Sequence, residues 1–92
     1  MIKTFRHKGL EAFFLTGSKK GIQPSHANKL RLQLASLDCA KGPQDMNVSG
    51  WRLHALTGDL AGHWSATVNG NWRMTFRFEG QDAELVDYQD YH

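Results

Sequence analysis

The chain closes on Asp90-Tyr91-His92, and another histidine, His54, lies 38 residues before the end. An acid, a phenol and an imidazole at the last positions have no obvious duty in a hydrophobic core. Imidazole is the side chain whose ordinary pKa lies nearest neutrality. Two of them at one site could take a proton from one oxygen and give one to another, each step contributing ~10²–10⁴-fold. RNA is a substrate that needs both steps, because its 2′-hydroxyl can attack the neighbouring phosphate.

Arginines accompany the histidine. Trp51, Leu53 and Ala55 alternate with Arg52, His54 and Leu56, as in a strand, so His54 points away from Trp51 and Leu53. Downstream, Trp72, Met74, Phe76 and Phe78 alternate with Arg73, Thr75 and Arg77. One sheet face would then carry Arg52, His54, Arg73, Thr75 and Arg77, open to solvent. Such a face suits phosphate, since arginine offers paired donors to phosphate oxygens. A zinc site from His54, Asp59, His63 and His92 matches no compact ligand spacing, and no metal or cofactor is expected.

The elements that must position these groups can be read from periodicity. Residues 2–6 alternate as a short strand. Leu10, Phe13 and Phe14 have helical spacing, and Gly17 is a stop. A linker spans Lys19 to Gln23. Pro24 or Ser25 opens a second helix with a stripe of Ala27, Leu30, Leu34 and Leu37, ended by Gly42-Pro43. Residues 44–50 read as a polar loop. Trp64, Ala66 and Val68 then alternate with His63, Ser65 and Thr67, which makes a hairpin with the strand from Trp72. A three-residue loop, Asn69 to Asn71, with Gly70 or Asn71 left-handed, pairs Val68 with Trp72, Ala66 with Met74 and Trp64 with Phe76 on one buried face. Ala83 to Tyr88 supplies a last strand of ambiguous facing, because Leu85 and Val86 are adjacent. The fold class is α+β: two amphipathic helices on one face of a small, mainly antiparallel sheet.

Ninety-two residues suit one domain over 1–92, with net charge +2 and mean hydropathy −0.53. No run is long and apolar enough for a membrane span. The lone Cys39, read as a small buried hydrophobe, and the absence of an apolar signal core suit a reducing cytoplasm. Lys3, Arg6, Lys8, Lys19, Lys20, Lys29, Arg31 and Lys41 face only Glu11 and Asp38 in the first 41 residues, a bias that favours an acidic or nucleic-acid partner. His7 and His26 read as surface residues.

Gly62-His63-Trp64-Ser65-Ala66-Thr67-Val68-Asn69, Trp72-Arg73-Met74-Thr75-Phe76-Arg77-Phe78, Asp87-Tyr88 and the closing Asp90-Tyr91-His92 strongly resemble the HigB toxins of the RelE superfamily. The opening ten residues and Leu53-His54-Ala55-Leu56 fit as well, so the resemblance spans essentially the whole chain. It implies a toxin of a type II toxin–antitoxin pair that cuts mRNA in the A site of the 70S ribosome, without metal, by 2′-hydroxyl attack. It implies His54, Arg73, Asp90, Tyr91 and His92 as the active-site residues, and a helix-turn-helix antitoxin, HigA, as partner. The basic helices, with Lys19, Lys20, Lys29 and Arg31, offer it an acidic-segment contact. RNA phosphate contacts fall to Arg52, Thr57, Thr75 and Arg77. A lysine found in some HigB toxins three residues after the strand histidine is Thr57 here. Either another cation, Arg52 or Arg77, compensates, or phosphate stabilisation is weaker. Either His54 or His92 could be the base. The competing function is a non-catalytic basic domain that binds RNA or a protein partner.

Overall fold

The computed structural model describes residues 1–91; His92 lies outside the described residues. Two helices, α1 (Lys8–Thr16) and α2 (Ala27–Cys39), precede four strands: β1 (His54–Ala55), β2 (His63–Asn69), β3 (Trp72–Glu79) and β4 (Asp82–Asp90). The strands form one antiparallel sheet in the order β1-β2-β3-β4, an α+β fold as expected.

Each helix boundary has a local cause. The His7 Nδ1 accepts from the Leu10 amide at 2.9 Å and caps α1. Gly17 ends it in the left-handed region, at φ 82, with its amide donating to the Phe13 carbonyl. Pro24 opens a short 3₁₀ turn, Pro24–His26, that leads into α2. α2 stops at Cys39, before the expected Gly42-Pro43, because Ala40 is already extended. Pro43 begins another 3₁₀ turn, and this segment, read as a polar loop, buries Met46 completely. Cys39 is exposed, not buried.

The core is one cluster. It joins Leu10 and Phe13 of α1 and Leu30, Leu34 and Leu37 of α2 to Trp51, Ala66, Val68, Met74 and Phe76 of the sheet region. Leu53, Trp64, Trp72 and Phe78 pack against it. The expected apolar sheet face is therefore the buried one.

The hairpin departs from expectation in one detail. Ala66 opposes Met74 and Trp64 opposes Phe76 as predicted, but Asn69, not Val68, opposes Trp72. A two-residue Gly70-Asn71 turn closes the hairpin with Gly70 at φ 56, and Val68 is an extra, bulged residue. The bulge reconciles a tight turn with the apolar register and keeps Val68 buried. A second bulge settles the facing of β4. Thr75 opposes Asp87 and Arg77 opposes Glu84, so Leu85 and Val86 together face Phe76. Leu85 takes φ 53, which lets Val86 enter the core. The N-terminal segment does not form a ladder. It makes isolated parallel bridges to β4, Ile2 with Ala83 and Phe5 with Val86, and shields that edge.

Two further expectations are corrected. The run Trp51–Ala55 is regular only at its last two residues, because Arg52 adopts φ 51. Trp51 is buried and its carbonyl accepts from the Thr67 amide at 2.7 Å, while His54 pairs with Ser65. Satisfying both anchors swings Arg52 outward. The second sheet face is also only partly open to solvent: Arg52 and His54 are exposed and Arg73 and Arg77 half-buried. Ser65 and Thr75 are fully enclosed at its centre and His63 is buried beside them. Their short side chains lie in rows flanked by Arg73, Arg77, Asp87 and Gln89.

An aromatic cluster ties α2 to β4. His26 is buried, not on the surface, with Nδ1 2.6 Å from the Tyr88 hydroxyl. Trp72 stacks on Tyr88 at 4.6 Å between ring centroids, and half-buried His7 meets it edge-on at 5.4 Å. Burial pushes the Tyr88 phenol above its ordinary pKa; the Gln23 backbone opposes this and the Asp90 carboxylate adds to it. The neutral phenol is thus favoured in the fold. Its stabilisation is complete below pH 10.0 and is lost as the pH rises through the higher folded-state value.

Two outcomes are expected. Tyr88→Phe leaves His26 Nδ1 buried without its partner and lowers stability by about 1–3 kcal/mol at neutral pH. Its melting temperature should also fall less steeply above pH 10 than that of the parent; parallel alkaline profiles would contradict this. Arg52→Gly removes a strain of about 1–3 kcal/mol, offset by roughly 0.4–1 kcal/mol of unfolded-chain entropy. Urea denaturation should show equal or greater stability, and a marked loss would contradict the strain.

Candidate active site

The hairpin tip brings together three of the groups singled out in the sequence, Arg73, Asp90 and Tyr91. Arg73 opposes Thr67 on β2 and Gln89 on β4. Its Nη1 donates to the Gly70 and Trp72 carbonyls, the latter at 3.1 Å. A guanidinium has five N–H donors, and Nε and Nη2 make no hydrogen bond among the described residues. Asp90 opposes Trp72, and the Tyr91 amide donates to the Asn71 carbonyl at 2.8 Å. The end of β4 is thereby held to the same turn that holds Arg73. Tyr91 is half-buried and Asp90 exposed.

His54 stands apart from this group. It lies on the edge strand β1, exposed and opposite Ser65. Strand spacing puts it roughly 10 Å across the sheet from β3, level with Thr75 and not Arg73, and roughly 14 Å from β4. Its ring nevertheless has a defined chemistry. Nδ1 lies 3.0 Å from the Arg52 carbonyl oxygen. A carbonyl only accepts, so Nδ1 carries the proton, and in the neutral ring Nε2 is the bare, basic nitrogen. The outward turn at Arg52 supplies that carbonyl.

The space between Arg52 and Arg73 is a cavity of about 360 Å³, lined also by Lys29, Thr67 and Asn69. No carboxylate lines it among the described residues. Arg77 differs sharply from this set: its guanidinium is held by Glu84 at 3.0 Å and Glu79 at 3.2 Å. Of the two cations that could stand in for a lysine at Thr57, Arg77 is thus already matched by acids, and Arg52 is not. Thr57 is exposed, whereas Thr75 is buried. His63 is buried while His54 and Asp59 are exposed, so these three do not form a common ligand shell.

Sequence reasoning missed two contributors. Lys29 reaches this end of the sheet from α2, and Gln33, fully buried, donates from Nε2 to the Thr67 carbonyl at 2.8 Å. The available signal was Gln33 itself, a polar residue set among Leu30, Leu34 and Leu37. An amide in an apolar stripe marks a directed hydrogen bond.

Comparison with known proteins agrees with this architecture. The family described as the RelE-like toxin of the type II toxin–antitoxin system HigB matches residues 3–92. The chain is 40% identical over 92 residues, the full length of both, to a protein of Proteus vulgaris named Endoribonuclease HigB. It is 33% identical over 94 aligned positions, all of this chain and 98% of the other, to Toxin HigB-1 of Vibrio cholerae. Matched by the family model over residues 3–92 and by a full-length relative at 40% identity, the chain belongs to the HigB-like family of RelE-like toxins of type II toxin–antitoxin systems.

Proposed function

We propose that this toxin is an endoribonuclease that cleaves mRNA in the A site of the 70S ribosome and so inhibits translation. The observation that carries the reading is the His54 ring. With its Nδ1 proton given to the Arg52 carbonyl, Nε2 is directed outward as a proton acceptor. The name of the Proteus vulgaris relative, Endoribonuclease HigB, supports the same reaction class.

In the proposed reaction His54 Nε2 takes the proton of a 2′-hydroxyl, and the freed oxygen attacks the adjacent phosphorus. The bond from phosphorus to the 5′-oxygen breaks, and His92 donates a proton to that leaving oxygen. The products are a 2′,3′-cyclic phosphate and a 5′-hydroxyl. Arg73 Nε and Nη2 stabilise charge on the phosphate oxygens. Tyr91 stacks on or orients a base, and Asp90 orients the terminal imidazole. Arg52 and Thr57, both exposed, contact flanking phosphate, while Arg77 stays with its acids and Thr75 stays buried. Imidazoles and cations carry every step, so the mechanism needs no metal.

The separation of His54 from the hairpin tip explains a need for the ribosome. An exposed edge strand carrying the base cannot by itself align oxygen, phosphorus and leaving group. Holding the mRNA in a near-attack geometry supplies that alignment, and alignment of this kind is worth up to ~7–11 kcal/mol.

A toxin in the cytoplasm needs a partner that silences it, here an antitoxin of the helix-turn-helix HigA type. Lys19, Lys20 and Arg31 are exposed beside the apolar Leu15 and Leu32. That combination fits an acidic, amphipathic antitoxin segment.

On programmed ribosomes, His54→Ala and deletion of His92 should each reduce cleavage by ~10²–10⁴-fold with unchanged thermal unfolding. A 2′-O-methyl residue at the cut position should block the reaction, and EDTA should not inhibit cleavage of a short RNA apart from its effect on ribosome integrity. Efficient cutting of the 2′-O-methyl substrate would rule the mechanism out. For the partner, Lys19→Glu with Lys20→Glu should weaken antitoxin binding at least tenfold in calorimetry; unaltered affinity would place the interface elsewhere.

A further inference from the structure

The cavity at the end of the sheet is built, not incidental. Lys29 and Gln33 are one helical turn apart and share a face of α2. Gln33 is fixed by its bond to the Thr67 carbonyl, and the Thr67 amide is fixed by the Trp51 carbonyl at 2.7 Å. Those two bonds tie α2, β2 and the segment before β1 into one frame. Lys29 is half-buried within it, which limits where its ammonium can go. Arg52 enters from the other side because its backbone is held at φ 51. Unusual backbone held in place by surrounding structure concentrates at functional sites.

The electrostatics are one-sided. Lys29, Arg52 and Arg73 line the same cavity of about 360 Å³ without a carboxylate among the described lining residues. Arg77, further along β3, contrasts with them: it has Glu79 and Glu84 as partners. Like charges brought together repel, and an anion between them removes that repulsion. The ligand must be an oxyanion that accepts a planar fork from arginine and a point charge from lysine, which describes phosphate.

We propose that Lys29 and Arg52 form a second phosphate grip, beside Arg73, that holds the RNA backbone phosphate next to the scissile one. The inference rests on the nuclease reading for the identity of the polymer as RNA. It adds a helix residue, Lys29, as a binding residue. Held at the neighbouring phosphate, the strand would be fixed between the His54 edge and the hairpin tip.

The test uses binding, which does not depend on cleavage. The full chain is titrated with a 2′-O-methyl RNA dodecamer across a salt series. Each of Lys29→Gln and Arg52→Gln should reduce the slope of log affinity against log salt by about 0.7, the value for one phosphate contact on a single strand. Lys41→Gln, an exposed lysine outside the cavity, should leave the slope unchanged. Thermal melts check that the variants are folded. Unchanged slopes for both cavity variants would overturn the proposal, as would failure of the parent protein to bind the dodecamer at low salt. A second arm, in a His54→Ala background, measures binding to ribosomes with and without mRNA. Weakening by Lys29→Gln only with mRNA supports the grip on mRNA, and equal weakening with and without mRNA would place the phosphate on ribosomal RNA and overturn it. Altered slopes together with no cleavage on programmed ribosomes would sink the nuclease reading while upholding the grip.

Discussion

The β2–β3 register is the constraint on which the rest of this structure depends. Pairing Ala66 with Met74 and Trp64 with Phe76 puts the apolar residues of both strands under the helices. A slip of one residue would turn every one of them outward. Because the register is fixed by the core, the alternate positions are fixed too. Arg73 must then face Thr67 and Gln89, and His54 must share a row with Ser65, Thr75 and Asp87. The polar arrangement is thus a consequence of hydrophobic burial. The bulge at Val68 lets a tight Gly70-Asn71 turn coexist with that register, and the turn's carbonyl then anchors the Arg73 guanidinium.

Buried anchors also create the exposed chemistry at β1. Trp51 is held by the core and by its bond to Thr67, and three residues later the chain must pair with Ser65 at His54. Regular strand geometry does not satisfy both, and the left-handed turn at Arg52 absorbs the difference. That one distortion has two effects. It projects the Arg52 side chain toward Lys29 and Arg73, and it presents the Arg52 carbonyl to the His54 Nδ1. Strain in the backbone and the tautomer of the imidazole have the same origin.

Charge is distributed by the same logic. Arg77 and Arg73 are on one strand with the same facing, yet their partners differ because β4 places Glu84 opposite one and Gln89 opposite the other. An acid at the first position neutralises Arg77, and an amide at the second leaves Arg73 available to an anion. Which arginine of β3 is matched by an acid is therefore set by the neighbouring strand.

Much of this was legible in the chain alone. The helix stripe of Leu30, Leu34 and Leu37, the stop at Gly17, the apolar faces of the hairpin and the family motifs are local or periodic features, and periodicity survives without knowledge of the fold. The family itself followed from the hairpin and the acid–tyrosine–histidine ending. Other features required tertiary structure, because they depend on which distant groups become neighbours. His26 and His7 read as surface residues until Tyr88, 62 positions after His26, closed on them. Cys39 ended an apolar stripe but falls where α2 leaves the core. Leu85 and Val86 could not be assigned a face until the bulge at Leu85 chose Val86 for the interior. Arg52 and Arg77 looked equivalent in sequence and were separated only by their partners across the sheet. Sequence determines what each residue can do. Burial and long-range pairing decide which of those capacities remain unspent, because only the folded chain sets which polar groups meet a partner and which still face a ligand.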